Sequence, residues 1–154
     1  MRFILIMLVL LTGPALAQGW ERYDNARFGY GIDIPPGFSG DGESDNGDGQ
    51  HFSVNGKPID LIAWGGNLMG AFEGEVAGAM DFAQGDGWNI TYKATTPRWA
   101  SFSGLKVSRI LYQRMVLLCD GSSYAAFRAE YSVADRAEMD PVIDRLVGSL
   151  RGNC

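Results

Sequence analysis

One histidine, two cysteines and a shortage of basic residues remove several function classes before any motif is sought. No second nitrogen or thiol ligand lies near His51 in sequence, and the cysteines lack the Cys-x-x-Cys spacing of a redox dithiol. A Ser-His-Asp arrangement would have to combine His51 with Ser101, Ser103 or Ser122 and an acid such as Asp33 or Asp60. None of those serines stands in a nucleophile-elbow context. The phosphate-loop and dinucleotide patterns are missing, as are internal repeats and low-complexity tracts. With 13 basic against 18 acidic residues the chain is unsuited to nucleic acid or an anionic membrane surface.

Long apolar runs are scarce too. Phe3 to Leu11 is unbroken but too short to span a bilayer. Preceded by Met1-Arg2 and followed by Ala15-Leu16-Ala17, it reads as an export signal over residues 1–17, cut before Gln18. No cysteine follows the cleavage motif, which argues against a lipid-attached form. The expectation is a periplasmic or secreted chain with no stable membrane insertion after cleavage, folded as one α+β domain over 18–154. Its charge is unevenly spread: Gln18 to Ile90 carries 12 acids and 3 bases, whereas Thr91 onward carries 9 bases and 6 acids. Attraction between the two halves within one fold is the simplest consequence.

An oxidising compartment makes the pair Cys119 and Cys154 a disulfide candidate that would pin the C-terminal tail. The other chemical cluster is Asp41, Glu43, Asp45 and Asp48, set among glycines in a stretch with little to bury. It reads as a mobile acidic loop. Four carboxylates invite a calcium reading, but counting from Asp41 puts Asn46 where an EF-hand needs glycine and Phe52 where it needs the closing Glu. No cofactor is called for.

The clearest structural signal runs from Gly104 to Val133. Leu105, Val107, Leu111, Met115 and Leu117 alternate with Lys106, Ser108, Tyr112 and Arg114, and after Asp120-Gly121-Ser122-Ser123 the alternation returns through Tyr124 to Val133. This predicts one long β-hairpin. Phe28 to Ile34 predicts a strand stopped by Pro35-Pro36, and Asn55-Gly56 predicts a hairpin joining Gln50–Val54 to Pro58–Trp64. Leu68, Phe72, Val76, Met80 and Ala83 predict a helix capped by Asn67, its glycines 70, 74 and 78 allowing close packing on a sheet. Trp88 to Tyr92 alternates as a further strand. Asp140-Pro141 predicts the start of a last helix, with Gly152 as its stop. Strands first and helices between and after them imply an α+β domain, an antiparallel sheet with helices packed on it.

Tyr23-Asp24-Asn25-Ala26-Arg27-Phe28-Gly29-Tyr30, Asn46-Gly47-Asp48-Gly49 with Phe52, and Glu130-Tyr131-Ser132 with Asp140-Pro141-Val142-Ile143 resemble small exported proteins of alphaproteobacteria. The element order resembles the PsbP and Mog-type sandwich, whose members act as binding or assembly factors rather than as enzymes. The resemblance implies a non-enzymatic periplasmic binding or assembly-accessory protein with an envelope protein as partner, and it carries over no functional residue. A small hydrolase and a calcium-responsive module acting through 41–48 are the alternatives.

Overall fold

The computed structural model describes residues 19–154, so the export signal assigned to 1–17 lies outside the described residues. Among the described residues the strands are β1 (Glu21–Asn25), β2 (Tyr30–Ile34), β3 (Phe38–Glu43), β4 (Gly49–Val54) and β5 (Asp60–Asn67). Helix α1 (Phe72–Gly85) follows. Then come β6 (Asn89–Thr95), β7 (Trp99–Lys106), β8 (Arg109–Leu117) and β9 (Ser123–Ser132), helix α2 (Arg136–Ser149) and the short β10 (Arg151–Gly152). No helix here is long and apolar enough to cross a membrane.

The hairpin around Asp120 forms the middle of the structure. β8 and β9 pair antiparallel from Arg109↔Ser132 to Leu117↔Tyr124. Their register is set by the turn: the Asp120 carboxylate accepts from the Ser122 and Ser123 amides at 3.0 and 2.9 Å and from the Ser123 hydroxyl at 2.7 Å. Those donors hold its pKa below the usual carboxylate range, and Gly121 supplies the positive φ of 66° that the turn requires. The seven-stranded sheet has the order β3-β4-β5-β9-β8-β7-β6, all pairs antiparallel, and a three-stranded sheet β1-β2-β10 lies apart from it.

Alternation then assigns each side chain to a face. On one face Phe72, Val76 and Ala83 of α1 pack against Ala100, Phe102, Leu111, Met115 and Ala126. On the other, Tyr30, Ile32 and Ile34 of β2 and Met139, Ile143 and Leu146 of α2 pack against Phe52, Leu61, Ala63, Phe127, Ala129 and Tyr131. Each cover is partial, and the two are offset diagonally. Beside α1 the β3–β5 half of the sheet stays open, with Ile62 39% exposed. Beside α2 the β6–β7 half stays open, with Tyr92 50% and Leu105 42% exposed.

Several expectations are corrected in detail. The strand expected to run unbroken from Gly104 to Leu117 reverses at Val107-Ser108, where Lys106 pairs with Arg109. Val107 sits there fully exposed at φ 55°, a conformation a β-branched residue adopts at a cost, so apolar alternation ran straight through a turn with no glycine to mark it. The acidic stretch is not a loop throughout: β3 pairs with β4 around a bulge between Gly40 and Glu43, leaving only 44–48 as the turn. Gly65-Gly66-Asn67 ends β5, and α1 begins at Phe72 with Ala71 as N-cap and no side-chain cap. Gly70, Gly74 and Gly78 face open space and pack on nothing. α2 starts before Asp140: a 3-10 turn, Val133–Asp135, is capped by the Ser132 hydroxyl, and Pro141 lies inside the helix. That helix ends at Ser149, and Gly152 pairs with Tyr30 rather than terminating it.

Candidate functional site

The open half of the sheet beside α1 forms a groove. Its floor is Ile62 and Trp64 of β5, Met115 and the buried Gln113 of β8, and Tyr124 and Arg128 of β9; its wall is Glu75, Gly78, Ala79 and Phe82 of α1. The hollow measures about 520 Å³. A second hollow of about 420 Å³ continues from it across Ile62 and Trp64 to the β3–β4 hairpin, where Asp41, Ser44, Asn46, Asp48 and His51 line it.

Phe82 is 72% exposed at the lip. It lies out of phase with the buried stripe of Phe72, Val76 and Ala83, so α1 cannot hide it in its own packing. The signal for it in the sequence is an aromatic on the polar side of a helix, which the apolar stripe alone does not reveal. At the floor, the half-buried Gly66 of β5 lies against the Tyr124 ring, whereas Gly65 is buried on the opposite face under Phe28. A Cβ on Gly66 would lie 2.8 Å from the Tyr124 ring, so the bare backbone there sets where Tyr124 stands. Burial raises the Tyr124 phenol pKa, with Trp64 acting the other way and Glu75 adding to the rise, so the hydroxyl stays neutral across the physiological range.

The charged residues around the groove are largely spent on one another. His51 Nδ1 lies 2.7 Å from Asp41 Oδ2 and its Nε2 lies 3.4 Å from Asp60 Oδ1, while Arg109 reaches the other Asp60 oxygen at 3.4 Å. The Asp41 hydrogen bond is the main reason the His51 pKa rises, opposed by partial burial and helped by Asp60. A carboxylate beside each ring nitrogen favours the charged imidazolium over the neutral ring, and both nitrogens face partners from β3 and β5.

The serines that a triad with His51 would need lie elsewhere. Ser101 is on the opposite face, where its hydroxyl accepts from Arg114 Nη1 at 3.1 Å. Ser103 shares that face, Ser122 belongs to the Asp120 turn, and Asp33 is held by Arg145 at 3.1 Å and Arg22 at 3.5 Å.

Nor do the four acidic candidates converge. Glu43 accepts from the Tyr23 hydroxyl at 2.6 Å and from Asn25 at 3.3 Å; burial first and the Glu43 bond second raise the Tyr23 pKa, with Asn25 acting the other way. Asp48 pairs with Arg27 at 2.8 Å and accepts from Asn46 Nδ2 at 2.6 Å. Asp41 faces His51, and Asp45 is exposed at the turn. Among the described residues no group of three or more acidic, histidine or cysteine side chains is arranged to hold a metal ion.

Cys119 and Cys154 are joined, with Cα atoms 6.1 Å apart. The bond ties the β8–β9 turn to a tail already paired with β2, where the Asn153 amide donates to the Gly29 carbonyl at 2.7 Å. Neither cysteine lines the groove.

This partly covered sheet has solved counterparts. The solution structure of cyanobacterial PsbP (CyanoP) from Synechocystis superposes with a TM-score of 0.66 at 11% identity, covering 91% of this chain and 96% of the other. The Ran-binding protein Mog1p of Saccharomyces cerevisiae superposes with a TM-score of 0.62 at 8% identity, covering 89% and 97%. The fold is PsbP/Mog1-like. No protein-family model matches the chain, and no curated protein sequence does. At these identities the likeness establishes the α+β sandwich and leaves the groove residues to be argued from their own geometry.

Proposed function

We propose that the chain is an exported, non-enzymatic binding or assembly-accessory protein of the cell envelope, of the kind found as small exported proteins in alphaproteobacteria, and that it docks a partner protein in the groove beside α1. The observation that carries this is the exposed surface of Phe82 and Ile62 beside the half-buried Trp64 over a concave floor. Apolar side chains left in water beside a ready cavity are what an interface core looks like before its partner arrives. The charged groups nearby favour docking over chemistry, because His51, Asp41 and Asp60 are locked into one another. The export signal and the Cys119–Cys154 bond support an oxidising location, and the Mog1p likeness supplies a fold precedent for binding another protein.

The test is retention of an envelope protein by the purified chain, compared with Phe82→Asp and His51→Gln. Phe82→Asp loses the partner and His51→Gln keeps it. A partner held equally by both variants, or turnover of a generic ester or peptide substrate that His51→Gln abolishes, overturns the reading.

A further inference from the structure

The seven-stranded sheet has two edges, and they are treated differently. β3 carries glycines and engaged acids and is broken by its bulge. β6 is bonded only to β7, and past the bulge between Ile90 and Tyr92 the run Tyr92–Thr95 pairs regularly with Ser103–Ala100. Its outward amide and carbonyl groups form an unpaired ladder.

Hollows flank that ladder on both sides. On the α1 side one of about 430 Å³ is lined by Met80, Asp81 and Lys93, and a smaller one of about 180 Å³ by Glu73, Met80, Lys93 and Thr95. On the α2 side one of about 530 Å³ is lined by Tyr92, Leu105, Tyr112 and Asp144. A strand laid beside β6 sends successive side chains to opposite faces, and those two apart on one face stand about 7 Å from each other. The placement of the hollows matches that alternation.

Charge names the occupant. Glu73, Asp81 and Asp144 form no ion pair among the described residues, Arg136 is taken by Asp140 at 3.7 Å, and Lys93 alone opposes the three carboxylates. The apolar walls of Met80, Leu105 and the tyrosines suit a long aliphatic stem that ends in a cation. We infer that β6 is a strand-addition site for an extended basic segment of a partner protein, one whose side chains alternate between lysine or arginine and aliphatic residues. A second copy of this chain is the poorer occupant, since it brings the same excess of carboxylate to both sides of the seam. This site stands apart from the groove beside α1 and does not depend on it.

The test uses the purified chain with three blocked synthetic nonapeptides: alternating Lys-Val, alternating Glu-Val, and Lys-Val N-methylated at every second amide. The Lys-Val peptide shifts the amide resonances of Tyr92–Thr95, slows their exchange at least about fivefold, and binds roughly tenfold tighter than Glu-Val at low salt. Asp81→Lys, on an exposed helix position, weakens it severalfold without altering the fold, and N-methylation removes binding. The inference is overturned by absence of Lys-Val binding, by equal binding of both charges or of the N-methylated peptide, by shifts confined to the Trp64 groove, or by a concentration-dependent dimer protected at β6.

Discussion

Removing the Cys119–Cys154 bond gives the most quantitative check on how the tail is held. The two residues are 35 apart in sequence, and closing a loop of that length removes roughly 4 kcal/mol of chain entropy from the unfolded state. Both cysteines are exposed, so the double variant Cys119→Ser, Cys154→Ser opens no cavity and the loss belongs to the crosslink. What remains to hold the tail is the two-residue β10, the Asn153–Gly29 bond and the Asn153 side chain's exposed bonds to Asp24 and Arg22, contributing about 1 kcal/mol apiece at most. In urea titration followed by tryptophan fluorescence, a slope of about 2 kcal/mol per molar turns the loss into a midpoint lower by about 2 M. Hydrogen exchange at Asn153 should quicken well beyond that of β9, because the tail frays before the sheet opens. A loss under about 1 kcal/mol, with Asn153 still protected, would refute the reasoning and show that β10 and the Asn153 bonds hold the tail without the crosslink.

Three further predictions follow from local geometry. Val107→Gly should raise stability by about 0.5–1 kcal/mol, because relief of the positive φ at a fully exposed position outweighs the added freedom of glycine in the unfolded chain; thermal melting reads it, and destabilisation contradicts it. Gly66→Ala should cost about 1–3 kcal/mol and displace the Tyr124 ring, since the new Cβ meets that ring at 2.8 Å, and an unchanged Tyr124 ring spectrum refutes it. The raised His51 pKa makes its pairing with Asp41 and Asp60 fully stabilising below about pH 6.5, where the unfolded imidazole is also charged, and that contribution is lost as pH rises through the folded value. Wild type should therefore exceed His51→Gln by less than about 1 kcal/mol at pH 5.5 and by nothing at pH 9, the exposed-pair range; a gap that widens with pH reverses the assignment.

The parts legible in the sequence were those with a strong period and chemistry to punctuate it. Asp120-Gly121-Ser122-Ser123 fixes a turn through its own side chains, so the β8–β9 register was readable, as was the buried stripe of α2. The Val107 reversal was not readable, because alternation continues through it and the turn uses a residue that resists its conformation. β3 stayed hidden because its glycines and acids deny it any apolar pattern; it is a strand only because β4 gives it a partner. The site was less legible than the fold. His51, Asp41 and Asp60 could be named as candidates, yet that they neutralise one another depends on β3, β4 and β5 lying side by side. The groove arises from which half of the sheet α1 fails to cover, and no local sequence pattern encodes that.

Docking of a protein partner on Phe82 and its neighbours can be tested directly. A photo-crosslinking residue placed at Phe82, and separately at Val133 on an exposed site outside the groove, tests it in the intact cell envelope. A discrete adduct from position 82, absent from position 133 and lost when Ile62→Asp is added, is the predicted result. Equal labelling at both positions, or none at 82 while the folded protein accumulates normally, contradicts it.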